Sequence, residues 1–125
     1  MNESRDPLTE LVIGAAIEVH RIMGPGLLES VYQQCMEEEL RLRECPVEGQ
    51  YRVPLQYKGL PLGDDLKIDL FFPDRLVVEL KAVERLHPVH EAQLLTYLRL
   101  SQVHVGLLIN FNVPTLVSGL KRMVV

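Results

Sequence analysis

An aspartate, a glutamate and a lysine fall within two short runs that otherwise read as half-buried strand. The first run is Lys67-Ile68-Asp69-Leu70, the second is Val78-Glu79-Leu80-Lys81, and Phe72-Pro73-Asp74-Arg75 turns the chain between them. Two carboxylates and an ammonium brought together are the minimal equipment for metal-dependent phosphodiester cleavage. The carboxylates hold a hard cation that polarises the phosphoryl group and acidifies a water. The lysine neutralises the charge that develops on the phosphorus oxygens.

The spacing fixes how these residues would meet. Leu66, Ile68, Leu70 and Phe72 alternate with Lys67, Asp69 and Phe71, and Val78, Leu80 and Ala82 alternate with Val77, Glu79 and Lys81, the period of a strand. A connection of a few residues containing Pro73 and Asp74 favours an antiparallel hairpin. With a three-residue loop at 73–75, Phe72 faces Leu76, Leu70 faces Val78, Asp69 faces Glu79 and Lys67 faces Lys81; a bulge would shift this register by one. Opposed Cβ atoms lie about 4.5–5.5 Å apart, close enough for two carboxylates to share one cation with oxygens at about 2.0–2.1 Å, as Mg²⁺ demands. Without a cation the opposed carboxylates destabilise the sheet by up to about 1 kcal/mol, which predicts a strained or partly protonated pair. The competing reading of these four residues is a solvated hairpin face with a weak cross-strand Lys–Glu pair.

The elements that position the hairpin are legible around it. Asp6 is an N-cap with Pro7 at the first helical position, and Leu8, Leu11, Val12, Ala15, Val19 and Met23 recur at helical spacing. Gly24-Pro25-Gly26 ends that helix. A second helix is expected from about Leu27, with Leu28, Val31, Tyr32, Cys35, Met36 and Leu40 as its apolar stripe and Glu37, Glu38 and Glu39 toward solvent. Tyr51, Val53, Leu55 and Tyr57 alternate as a strand in which Pro54 marks an edge or a bulge. Lys58-Gly59 and Gly63-Asp64 read as turns before the hairpin. His87-Pro88 opens a third helix, predicted to turn Ala92, Leu95 and Leu98 inward and to align His90, Gln93 and Tyr97 in one polar column. Residues 103–109 read as a buried central strand, residues 110–114 as a loop, and residues 121–125 as a short final strand. Periodicity alone supports an α/β or α+β sandwich.

With those residues in view, the chain resembles known proteins. Gly26-Leu27-Leu28-Glu29-Ser30-Val31-Tyr32 matches the signature of the GxxExxY protein family, and Asp69 with Glu79-Leu80-Lys81 resembles the central motif of the PD-(D/E)xK nuclease superfamily. Gln93-Leu94-Leu95-Thr96-Tyr97 is similar to the QxxxY element of the exonuclease branch of that superfamily. With His87-Pro88-Val89-His90-Glu91-Ala92 and Gly106-Leu107-Leu108-Ile109-Asn110-Phe111 in order, the resemblance runs from about residue 11 to residue 125. It implies one nuclease-like domain over residues 1–125, an α/β fold with a restriction-endonuclease-like α-β-β-β-α-β core, and a mixed sheet flanked by helices.

The resemblance also implies roles. Asp69 and Glu79 match the metal-binding acidic pair, the Leu80 carbonyl is a further oxygen ligand, and Glu29 matches a helical carboxylate that completes a site for one or two Mg²⁺ or Mn²⁺ ions. Lys81, on the Glu79 face about 6.8 Å along the strand, orients the attacking water or stabilises the transition state. Gln93 and Tyr97 hold the Lys81 region or a substrate phosphate, and His90 and Tyr32 join them as candidate positioning residues. Lys67 stands where relatives carry Arg, which exchanges a bidentate phosphate contact for a point charge. His20 matches a position of the family pattern, but a structural hydrogen bond or a helix C-terminal interaction is the favoured role for it. The metal ligands themselves are intact, against a retired site.

Composition bounds these expectations. A net charge of −4 lacks the basic balance of a chain that grips a long duplex, although Arg41, Arg43, Arg52, Arg85, Arg99, Lys121 and Arg122 could form a local patch. Cys35 and Cys45 stand alone without zinc spacing, so free thiols in a reducing compartment are expected. Residues 1–6 are polar with no signal core, and no apolar run approaches the ~20 residues of a membrane span, which predicts a cytoplasmic protein without membrane contact. Gly24-Pro25-Gly26 lacks the lysine of a phosphate-cradling loop. The expected function is therefore a Mg²⁺-dependent nuclease acting on DNA, or on RNA, as a homodimer or within an assembly. The alternative is a non-catalytic interaction or scaffold module of nuclease fold.

Overall fold

The computed structural model describes residues 6–125; the first five residues of the polar N-terminal stretch lie outside it. The first helix, α1 (Pro7–Met23), begins as its residue types require. The Asp6 carboxylate accepts the Thr9 amide at 2.7 Å, a bond that holds the Asp6 carboxyl below its usual range, and Pro7 fills a position where no amide partner is needed. Gly24, at φ +74°, ends the helix in a conformation that costs a glycine little. The second helix, α2 (Glu29–Leu42), starts two residues later than the apolar pattern suggests, because Leu28 takes an extended N-cap conformation.

Five strands follow: β1 (Glu48–Tyr57), β2 (Leu60–Phe72), β3 (Leu76–Lys81), β4 (Val105–Asn110) and β5 (Leu120–Val124), with α3 (Pro88–Ser101) between β3 and β4. They form one mixed sheet in the order β1-β2-β3-β4-β5. Only β3 and β4 run parallel, joined by α3 as the crossover that a parallel pair needs. On one sheet face α1 and α2 bury Val12, Ala16, Val19, Tyr32, Met36 and Leu40 against Leu70, Val78, Leu80, Leu107 and Ile109. On the other, α3 buries Leu94, Tyr97 and Leu98 against Ile68, Val77 and Leu108. This is the α/β, restriction-endonuclease-like architecture expected from the sequence, with a helix pair before the core and a fifth strand after it.

The motif hairpin forms as its turn residues dictate. Arg75 donates its amide to the Phe72 carbonyl at 2.9 Å, Pro73 sits at the second turn position, and Asp74 takes φ +65° at the third, as a type II turn requires. Leu70 pairs with Val78 and Phe72 with Leu76, the expected register. The ladder stops there, so Lys67 does not oppose Lys81; its partner is Arg52 on β1.

Other expectations are corrected. Gly63-Asp64 is not a turn but lies inside β2, which starts at Leu60 and meets β1 through a register shift near Pro54. Ala92 and Leu95 are exposed rather than inward, because α3 is phased by Leu94 and Leu98 against Val103 and Leu108. Leu28 is 72% exposed, outside the α2 stripe. Glu37 is half-buried, drawn in by a 2.6 Å hydrogen bond from Gln33. Cys35 and Cys45 are unpaired. Among the described residues no helix is long and apolar enough to cross a membrane.

Candidate active site

β2 and β3 part beyond the Leu70–Val78 pair, and the acidic residues fill the opening. Ile68 belongs to the core under α3, while Leu70 belongs to the core under α1 and α2. The two-residue alternation therefore breaks at Asp69. Across the β1–β2 ladder, Gln50 has φ +50°, and neither Gln50 nor Asp69 takes part in the pairing that resumes on both sides of them. A kink shared by two strands thus withdraws Asp69 from the ladder, and side chains satisfy its backbone. Its amide donates to Glu79 Oε2 at 3.2 Å, and its carbonyl accepts Gln33 Nε2 at 2.8 Å. The Asp69 carboxylate accepts the Leu80 amide at 2.8 Å and Gln50 Nε2 at 3.0 Å.

Glu79 is 5% exposed, one of the few polar side chains buried in the protein. Burial pushes its carboxyl up to about 9, and the Asp69 charge and the hydrogen bond to the Asp69 side chain add to the shift. At neutral pH the metal-free pair therefore holds a proton, as expected for like charges in close approach. Leu80 points its amide toward β2, whereas Lys81 points its carbonyl toward the β4 side, accepting the Phe111 amide at 2.9 Å. Since a strand residue directs both backbone groups to the same side, the Leu80 carbonyl also faces the opening. Two carboxyls and a carbonyl make an all-oxygen donor set with excess negative charge. Such a set suits a hard divalent cation that keeps several waters.

Glu29 stands on the rim of a cleft of about 450 Å³ that it shares with Gln33, Gln50, Asp69 and Leu80. It is exposed, and among the described residues no three His, Cys, Asp or Glu side chains gather as a metal cage. Glu29 thus borders the centre without closing on it. On the α3 side of the sheet, Lys81 lines a second hollow with Val89, His90, Gln93 and Thr96. Gln93 donates to the Tyr97 hydroxyl at 2.9 Å. Burial raises the Tyr97 phenol above its usual range, with the Glu79 and Asp69 charges acting in the same direction. The expected polar column of α3 therefore lies over the acidic pair. His90 Nδ1 accepts the His87 amide at 3.1 Å, which gives this residue a capping role. Burial lowers its pKa, as do the charges of Lys81 and His87.

Two candidate residues line neither hollow. Lys67 is exposed on the hairpin beside Arg52. Tyr32 is fully buried and stacks on Phe111 at 4.4 Å. Its hydroxyl donates to the Gly24 carbonyl and accepts the Leu27 amide, so it pins the α1–α2 turn that presents Glu29 rather than touching the cleft. Tyr32→Phe retains the stack and loses both hydrogen bonds. Urea unfolding should show a loss of about 1–3 kcal/mol, with divalent-ion affinity unchanged.

The site also contains residues that the sequence did not single out. Gln33 follows Glu29 by one helical turn, a spacing that could have marked it. Gln50 is revealed only by the full β1–β2 register, since β1 begins at Glu48 and not at Tyr51. Asn110 is 2% exposed; its side chain pairs with both backbone groups of Val83 and so secures the chain just beyond Lys81. His20 makes a 2.8 Å hydrogen bond with the Val113 carbonyl, the structural alternative weighed for it.

Neither the curated proteins nor the solved structures contain a match to the chain. The family model of the PD-(D/E)XK nuclease superfamily matches residues 6–123, a span that includes the kinked Asp69, the buried Glu79, Lys81 and the helix that covers them. The chain belongs to the PD-(D/E)XK nuclease superfamily.

Proposed function

We propose that this protein is a Mg²⁺- or Mn²⁺-dependent nuclease of the GxxExxY group that hydrolyses phosphodiester bonds of nucleic acid, DNA before RNA. The observation that carries the reading is the exchange of bonds across the strand opening, Asp69 amide to Glu79 and Leu80 amide to Asp69. These bonds cost the sheet its ladder and concentrate negative charge where a hard cation relieves it. Members of the superfamily generally use divalent metal ions. Asp69, Glu79 and the Leu80 carbonyl would hold the ion, with Glu29 reaching in from the rim.

When bound, the ion supplies Lewis acidity toward the phosphoryl oxygen and lowers the pKa of a water. The protein's own groups do the rest. Lys81, on the Glu79 face of β3, orients that water or stabilises the charge building on the phosphoryl oxygens. Gln93, held by its hydrogen bond to Tyr97, lines the hollow that Lys81 enters. Asn110 fixes the chain that follows Lys81.

The test is cleavage of linear, circular and single-stranded DNA and of RNA in Mg²⁺ or Mn²⁺, beside an Asp69→Ala/Lys81→Ala double variant and a chelator control. Metal-dependent cutting by the wild type, absent from both controls, is expected. Cutting no greater than that of the double variant on every substrate, with no calorimetric Mg²⁺ binding, would leave the non-catalytic module.

A further inference from the structure

The β1–β2 hairpin runs well past the rest of the sheet. Its ladder extends from Glu48–Phe71 to Tyr57–Leu60, whereas β3 pairs with β2 only over residues 70–72. Beyond Ile68 the sheet is a ribbon of two strands, a form that is marginally stable by itself in water. On this ribbon Arg52 and Lys67 are direct cross-strand partners, and both are exposed. Their neighbours Tyr51, Val53, Leu66 and Ile68 belong to the core on the α3 side. Strand alternation therefore places Arg52 and Lys67 on the opposite face, the face that carries α2 and the cleft lined by Glu29, Gln33 and Asp69. Lys67 precedes Asp69 by two residues, about 6.7 Å along the strand.

Like charges directly opposed destabilise a ribbon, and here internal compensation is thin. Asp65 pairs with Arg52 at a loose 3.7 Å, and among the described residues Lys67 enters no ion pair. An external anion held between the two side chains would remove the conflict. We infer that Arg52 and Lys67 form a cross-strand clamp for the nucleic-acid phosphodiester backbone on the α2 face, beside the cleft into which Asp69 opens. The clamp rests on the nuclease reading. It also accounts for how an acidic chain engages a polyanion: by a local pair on a projecting ribbon rather than by overall charge.

The test is the salt dependence of binding to a fluorescently labelled DNA duplex, a single strand and an RNA, followed by anisotropy in chelator so that no turnover occurs. For the duplex, the slope of log K against log salt should fall by about 0.9 for Arg52→Gln or Lys67→Gln and by about 1.8 for the double variant. Arg52→Lys, which keeps the charge, should keep the wild-type slope. In Mg²⁺ the glutamine variants should raise KM more than they lower kcat. Thermal unfolding of Lys67→Gln should be unchanged or shifted upward, because the variant relieves the like-charge pair. A wild type that binds, with a double variant of undiminished slope, overturns the clamp alone. A wild type with no salt-dependent binding to any of the three overturns the clamp, and the nuclease reading falls with it only where Mg²⁺-dependent cleavage is absent as well.

Discussion

Asp69→Asn should lower metal-dependent cleavage by about 10³-fold or more, while the metal-free protein keeps its stability to within about 1 kcal/mol. The first effect follows from the several kcal/mol of transition-state stabilisation that a correctly held cation supplies, at about 1.4 kcal/mol per decade. The second follows from the geometry of the pair. An asparagine carbonyl can still accept the Leu80 amide that Asp69 accepts at 2.8 Å, and because Glu79 already holds a proton at neutral pH the exchange relieves no like-charge repulsion. Gln50, the other donor to this carboxylate, is exposed and can turn to water. Asp69→Ala should be equally inactive but less stable, because it leaves the Leu80 amide unpaired at a cost of about 1–3 kcal/mol. Cleavage rates measured beside thermal unfolding of both variants separate chemistry from folding. An Asp69→Asn protein that cuts at the wild-type rate would remove Asp69 from the centre.

The sequence disclosed the pairing better than the departures from it. Alternation at residues 66–72 and 76–81, with Pro73 and Asp74 between, is a local signal, and the Leu70–Val78 register follows from it directly. The parting of the strands beyond that pair is not local. It depends on the positive φ of Gln50 within β1 and on Ile68 and Leu70 packing into opposite cores, so it needs the tertiary arrangement of β1 and both helical layers. Extrapolating the ladder therefore brought Asp69 to Glu79 correctly and Lys67 to Lys81 wrongly. The phase of α3 failed for a related reason. Its apolar residues Leu94, Leu95, Leu98 and Leu100 surround much of the helix, so contact with Val103 and Leu108, and not periodicity, selects Leu94 and Leu98 as the buried pair. Tyr32 was visible as part of a motif, but a motif does not separate a residue that touches substrate from one that supports the turn presenting its neighbour.

Metal-free protein should lose stability as pH rises from about 4.5 to about 9. Glu79 ionises near 4.5 in an unfolded chain but near 9 in the folded one, so across that window the native state holds a proton that the unfolded state has released. The stability contributed by this group is fully present below about 4.5 and is lost as pH climbs through the folded pKa, at no more than about 1.4 kcal/mol per unit. Glu79→Gln should flatten the profile. Subtracting its curve from that of the wild type also removes the opposite, smaller trend from His90, whose lowered pKa makes stability rise with pH just below its ordinary 6.5. Mg²⁺ or Mn²⁺ should reverse the loss, since a cation held by Asp69 and Glu79 favours the ionised pair. At pH 7, binding should therefore release about one proton per ion, read from the dependence of the calorimetric enthalpy on buffer ionisation. A wild-type unfolding profile that is flat from pH 5 to 9 would mean that Glu79 is already charged in the folded, metal-free protein. The charge of the ionised pair would then be neutralised in the metal-free protein by some other group.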